Sequence, residues 1–262
     1  MQEVDLPMRI LIVNDDGIYS PGILALAEVA AEFGQVTIVA PDVERSSTGH
    51  AVTHNRPLSY RKTPIKGFEA FRVDGTPADC VAVAFTILEK TDVVLSGINL
   101  GPNLGNGMWH SGTLAGAKQA ALMGSRGIAL SAPSSVDETH FERLKPHVAE
   151  VLKSLLIDTS LPLVNVNFPH NPHGTLWTRQ SVRHYDGTVK PIKDPMGRQL
   201  YWFTVLPVEE TEEGTDRWAV DHGFVSMTPL RLDLTDRDVL DKVKTLAPTP
   251  AQDVVPEQRK LA

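Results

Sequence analysis

Three stretches of the 262-residue sequence carry side chains whose types and spacing suit chemistry. The first is Asn14-Asp15-Asp16-Gly17, where two carboxylates stand side by side directly after the apolar run Arg9 to Val13. Adjacent like charges crowd each other, and a divalent cation is the usual counter-charge. The competing reading is a polar turn of ordinary Asn/Asp/Gly composition. The second stretch, Glu44-Arg45-Ser46-Ser47-Thr48-Gly49-His50, offers hydroxyls and backbone amides, and taken alone it reads as a surface loop with cap chemistry. The third, Ser96 to Thr113, is richer in Gly and Asn than a connector needs. Its end, Ser111-Gly112-Thr113, opens a helix, where unpaired amides and small hydroxyls make a site for phosphate. An ordinary Ser/Thr cap is the alternative there. Asn103 and His110 join Ser111, Gly112 and Thr113 as candidate substrate contacts, His110 also as a proton donor. The donors on offer are carboxylate, hydroxyl and side-chain amide, an all-oxygen set that suits Mg2+ or Mn2+ rather than zinc. Neither His50 nor His110 has paired metal-ligand spacing.

Strands must hold these loops in place. Arg9 to Val13 is a short β-branched run of the kind buried on both faces of a parallel sheet. Ser20-Pro21 then starts a helix carrying Ile23, Leu26, Ala27, Ala30 and Phe33 at helical spacing, and Val36 to Ala40 is the next strand. This is a βαβ unit with a right-handed crossover. The alternation continues: strand Phe68 to Val73, a capping box at Thr76-Pro77-Ala78-Asp79 opening a helix to about Lys90, and strand Asp92 to Ser96. Helix Thr113 to Met123, strand Gly127 to Ser131, helix Glu138 to Ile157 with Pro146 as a kink or break, and strand Leu163 to Phe168 follow. The pattern predicts an α/β fold with a doubly wound, mostly parallel, Rossmann-like sheet, whose ligands gather outside the carboxyl ends of the strands. After Pro169 the signals weaken to β runs at Gln199 to Val205 and Gly223 to Leu234, a short helix Asp236 to Leu246, and a loose tail bearing Pro248, Pro250 and Pro256. The expected organisation is an α/β catalytic core over 1–169 and a C-terminal β-hairpin and helix arm over 170–262, which packs on the core or a neighbouring subunit.

Several functions are excluded or disfavoured. One cysteine, Cys80, rules out a disulfide framework and reads as packed in a reducing compartment. The start of the chain is acidic rather than basic-then-apolar, no apolar run reaches the roughly 20 residues of a bilayer span, and the expectation is a cytoplasmic protein without membrane contact. A net charge of -7 disfavours long nucleic acids. No G-x-G-x-x-G follows the first strand, Gly112 to Lys118 misses P-loop spacing with Gln119 in place of the Ser/Thr, and there is no G-x-S-x-G elbow.

Taken together, Asn14-Asp15-Asp16-Gly17-Ile18, Ala40-Pro41-Asp42, Arg45-Ser46 with Thr48-Gly49-His50, Gly75 to Cys80, Ser96-Gly97-Ile98-Asn99 and Ser111-Gly112-Thr113 resemble the survival protein E (SurE) family, over Met8 to about Leu240. The sequence differs from many members at His110, where Tyr is common, and at Asn106-Gly107, where Asp is common. The resemblance implies a metal-dependent 5'-nucleotidase and acid phosphatase acting on nucleoside monophosphates, with 3'-nucleotidase and short-polyphosphate hydrolysis as further activities. It implies one divalent metal ion, Mg2+ or Mn2+, on Asp15, Asp16, Ser46 and Asn99, and a phosphate-contacting loop at Ser111, Gly112 and Thr113. It also implies a homodimer or homotetramer built by exchange of C-terminal extensions. The chemistry expected is hydrolysis of a phosphate monoester by water activated beside the cation, with Asp15 and Asp16 as the catalytic pair and Asp16 positioning or deprotonating the water. The alternative is a non-catalytic nucleotide-binding or receiver-like signalling protein. A receiver needs a phosphorylatable Asp at a later strand end, and here Asn99 follows that strand.

Overall fold

A computed structural model describes residues 7–88, 91–134, 138–157, 160–182, 187–206 and 211–246. The expected helix end at Lys90, the acidic start over residues 1–6 and the proline-bearing tail after Leu246 lie outside the described residues.

The apolar run becomes strand β1 (Arg9–Val13), and the Ser20-Pro21 signal becomes helix α1 (Pro21–Ala30), with proline in its first turn. Strand β2 (Gln35–Pro41), strands β3 (Tyr60–Lys62) and β4 (Glu69–Val73), and helix α2 (Pro77–Ile87) follow. The capping box is formed: the Thr76 hydroxyl accepts from the Asp79 amide at 3.1 Å, and the Asp79 carboxylate accepts from the Thr76 amide at 2.9 Å. Next come β5 (Val93–Leu100), a 3-10 turn at Gly105–His110, α3 (Gly112–Leu122), β6 (Arg126–Ala132), α4 (Glu138–Ile157) and β7 (Leu163–Asn167). Pro146 neither splits nor ends α4, which continues through it. The buried residues Phe141 and Leu144 before it, and Val148, Val151, Leu152 and Leu155 after it, share one core, so packing holds both halves against the sheet.

One nine-stranded sheet has the order β3-β4-β2-β1-β5-β6-β7-β11-β8, where β8 is Thr175–Trp177 and β11 is Val225–Pro229. The central strands pair in parallel; β3 on β4 and β11 on β7 are antiparallel. Alternation along β1 divides the core in two. Ile10 and Ile12 point into the cluster under α1 and α4, while Leu11 and Val13 face α2. Leu114 and Ala117 of α3 pack on Ala129 and Leu163 of that second face. This is the doubly wound, mostly parallel architecture that the alternating pattern predicts, and no helix among the described residues is long and apolar enough to cross a membrane.

Between β8 and β11 the chain makes an antiparallel ribbon, β9 (Gly187–Lys193) with β10 (Gln199–Val205), and the short helix α5 (Asp216–Asp221). A first compact unit runs to Leu230, so the boundary expected at 169–170 falls inside it, because β8 and β11 extend the main sheet. The sequence run read as a strand to Leu234 ends at Pro229, which removes a ladder donor. The second unit begins at Arg231 and contains α6 (Arg237–Leu246), on which Val239, Leu240 and Val243 are exposed.

Candidate active site

The order β2-β1-β5-β6 puts the reversal of strand order between the parallel strands β1 and β5, where doubly wound sheets open a crevice at their carboxyl ends. Asp15 and Asp16 leave β1 at that point, and Asn99 lies across from them near the end of β5. The Leu100 amide donates to Asp16 Oδ2 at 3.2 Å, closing the crevice with a hydrogen bond between the two strand ends. Asn14 shapes the turn, its side-chain amide donating to the Gly17 carbonyl at 3.0 Å and to Ser20 Oγ at 2.7 Å.

Asp15 is buried and sits against the start of α3. Thr113 Oγ1 donates to its Oδ1 at 2.7 Å, and the Thr113 backbone contributes a further hydrogen bond. A Cβ on Gly112 would stand 2.8 Å from both Asp15 Cβ and Oδ2, so only glycine lets the carboxylate approach the helix start this closely. The second loop is tied in through backbone: the Arg45 amide donates to the Asp15 carbonyl at 2.7 Å. Ser46 itself is exposed, its hydroxyl donating to Glu44 Oε1 at 2.7 Å. Half-buried Asn99 spends its amide nitrogen on the Gly101 carbonyl at 2.7 Å, which turns its oxygen the other way.

Electrostatically the two aspartates are unsettled. Burial, reinforced by the neighbouring Asp15 charge, pushes the Asp16 carboxyl up to about 6. Burial also raises Asp15, and the hydrogen bond from Thr113 only partly resists it. Asn14 Oδ1 and Ser96 Oγ, close in the chain to these aspartates and to Asn99, are buried without a hydrogen-bond partner among the described residues. Adjacent carboxylates whose ionisation is opposed by burial, and at Asp16 by the neighbouring charge, fit a hard cation. Among the described residues no group of three or more His, Cys, Asp or Glu is placed to hold a metal, so a cation here would need hydroxyl and amide oxygens beside the two carboxylates.

The remaining expected residues divide. Ser111 caps α3, its hydroxyl accepting from the Leu114 amide at 3.0 Å. Asn103 is buried: its side-chain nitrogen donates to Ser131 Oγ at 2.8 Å and stands 3.4 Å from Thr113 Oγ1, so it supports the Thr113–Asp15 contact from behind. His110 is exposed and lies edge-on to Phe203 of β10, with ring centroids 6.3 Å apart. His50 is exposed and meets Gln119 at the surface, Nε2 to Oε1 at 2.9 Å. The sequence reading missed the partners of Asn103. Asn167 Oδ1 accepts from its backbone amide at 2.7 Å, and the side-chain amides of Asn165 and Asn167 both donate to its carbonyl. A signal for them exists, since polar Asn165 and Asn167 alternate with apolar Val164 and Val166 in a strand otherwise buried throughout.

Comparison with known proteins gives consistent matches. Residues 10–187 match the family described as survival protein SurE. A protein named 5'-nucleotidase SurE 1 from Thermus thermophilus is 44% identical over 246 residues, covering 91% of this chain and 98% of that relative. The 5'-nucleotidase SurE of Deinococcus radiodurans is 39% identical, with 92% and 93% covered. A crystal structure of the SurE protein from Aquifex aeolicus superposes with a TM-score of 0.78 at 40% identity, covering 91% of this chain and 99% of that one.

Proposed function

This chain belongs to the SurE family, and on that premise we propose that it is a 5'-nucleotidase that hydrolyses nucleoside monophosphates to nucleoside and inorganic phosphate. The observation that carries the reading is the Asp15–Asp16 pair at the switch point of the sheet, Asp15 buried and Asp16 half-buried, both with ionisation opposed by burial. Family membership implies a divalent-metal dependence. In this reading Asp15, Asp16, Ser46 and Asn99 hold one Mg2+ or Mn2+. When bound, such a cation neutralises charge on the phosphoryl oxygens and lowers the pKa of water.

The chain's own residues do the rest. Thr113 fixes Asp15 by its hydroxyl, and the Leu100 amide fixes Asp16, so the pair keeps one geometry. Asp16 orients the attacking water and takes its proton. The Ser111 hydroxyl and the Gly112 amide at the start of α3 steady the negative charge on the transferring phosphoryl group, and His110 stands beside them as a phosphate contact or proton donor to the leaving oxygen. Thr113 serves this site chiefly through Asp15. The relatives carry an enzyme's name and lend no support to a receiver-like or non-catalytic alternative.

The same reading extends to assembly and place. Exposed Tyr201, Trp202 and Phe203 on β10 favour a homodimer or homotetramer through the C-terminal arm. Buried Cys80, its thiol pushed up by burial, suits a cytoplasmic setting. The test is phosphate release from a panel of nucleoside monophosphates with Mn2+, Mg2+ or EDTA. Turnover with either metal, none in EDTA and recovery on metal return is expected. Turnover that survives complete metal removal refutes the metal assignment, and no turnover in any condition refutes the enzyme.

A further inference from the structure

Several contacts hold the loop that connects Asn99 to Ser111. Among them, the Gly49 amide donates to the His110 carbonyl at 3.0 Å and the Asn165 side-chain amide donates to Met108 Sδ at 3.1 Å. Two anchors grip different parts of it by side chains. The first is Asn103, gripped by Asn165 and Asn167 of β7, which serves the Thr113–Asp15 contact. The second is Gly105, where the 3-10 turn leading to His110 and Ser111 begins. Its amide donates to Asp216 Oδ2 at 2.8 Å across 111 positions of sequence, and Asp216 is fully buried at 0% exposure. The other oxygen, Oδ1, accepts from the Ser181 amide at 2.9 Å and from the Arg217 amide at 2.8 Å. A carboxylate taken wholly out of water is stable only when its lone pairs are met, and three backbone amides meet them here. From the same side Gln180 donates its side-chain amide to the Gly105 carbonyl at 2.8 Å, and the Asn106 side chain donates to the Val182 carbonyl at 2.9 Å. The fit is close: Gly105 has φ +53°, and a Cβ there would lie 2.4 Å from the Ser181 carbonyl oxygen.

We propose that Asp216 is a positioning residue for phosphate binding, holding the Gly105–His110 turn so that His110 and Ser111 are presented to the phosphoryl group. The inference rests on the phosphate-contacting role given to those residues under the proposed function. Its consequence is a separation of effects. Asp15, Asp16 and Asn99 stand on strand ends fixed by the sheet and by the Asn103 pin, so loosening the Gly105 pin weakens phosphate contacts and spares the cation site.

The experiment compares the full-length wild type with Asp216→Asn and Gln180→Ala. For Asp216→Asn the KM for a nucleoside monophosphate and the Ki for inorganic phosphate rise about tenfold, while the Mn2+ concentration for half-activation stays within twofold. Gln180→Ala shifts KM and Ki the same way, by about threefold. A merely structural role gives another pattern: a smaller active fraction, seen as lower kcat, with KM and Ki unchanged. That pattern in Asp216→Asn, or in Gln180→Ala when Asp216→Asn does not fold, overturns the proposal. Hydrogen exchange at the amides of residues 105–111, measured without substrate, must also quicken in the variant, and unchanged exchange counts against the pin. Absence of turnover in the wild type refutes the proposed function instead, and the exchange measurement still decides whether Asp216 anchors the turn.

Discussion

Asp79, in the first turn of α2, and the Asp15–Asp16 pair, in the loop after β1, are carboxylates that the protein treats in opposite ways. At Asp79 burial opposes ionisation, yet the amides of Thr76 and Thr53 outweigh it and hold the group below its ordinary 3.8. At Asp16 burial and the charge of Asp15 outweigh the Leu100 amide, and the group is pushed up to about 6. A carboxylate with a structural task is satisfied by the chain itself, whereas one left short of partners is waiting for a ligand. Asp216 is of the first kind in its bonding, while its task is carried out on a loop of the second kind.

The contrast is sharpest when each side is broken. Asp16→Asn is expected to lower kcat on nucleoside monophosphates by about a thousandfold or more. In metal-free protein the same change relieves repulsion and raises stability by about 1–2 kcal/mol after allowance for solvent screening, read as a higher melting temperature. A variant that lost activity together with stability would show that Asp16 is structural. Thr113→Val, which keeps the shape of the side chain and removes the hydroxyl donating to Asp15, is expected to cost about tenfold in kcat/KM, with the secondary structure seen by circular dichroism unchanged. Asp79→Asn should do the reverse of Asp16→Asn. It breaks the capping box and loses about 1–2 kcal/mol in denaturant unfolding, with kcat within twofold of wild type.

Acid sharpens the same comparison by a smaller amount. Because the folded Asp79 titrates below its ordinary 3.8, its stabilisation is complete above about pH 4 and is lost as pH falls through the lower folded value. The difference in unfolding free energy between wild type and Asp79→Asn should therefore shrink below pH 4. A difference that held constant down to pH 2 would assign the stabilisation to something other than the ionised cap.

The sequence makes one side of this contrast easy to see. Thr76-Pro77-Ala78-Asp79 is local, with donor and acceptor three residues apart, and it forms as read. Likewise, β1 and β2 declare themselves because Ile10 to Val13 and Ile38 to Ala40 are apolar and buried on both faces. The pairing of Asp15 with Asp16 is also local. What makes it a site, the approach of Gly112 and Thr113 and the amide of Leu100, comes from residues 84 to 98 positions away. Asn103 was legible as part of an unusual loop, but its inward direction depends on Asn165 and Asn167 arriving on the neighbouring β7. Asp216 gives no signal at all, being one acidic residue in a polar stretch of a weakly patterned region. Three-residue strands such as β3 and β8 are hidden for a related reason, since they are recruited by the sheet edge rather than formed by their own propensity.

On the proposed function, Asp15 and Asp16 bind the cation that relieves the cost of ionising them in place. Calorimetric titration of Mn2+ into metal-free wild type and Asp16→Asn tests it most directly. One saturable site per chain in the wild type, absent or weakened at least a hundredfold in a folded Asp16→Asn, is the predicted result. Equal Mn2+ binding by the two proteins would contradict it.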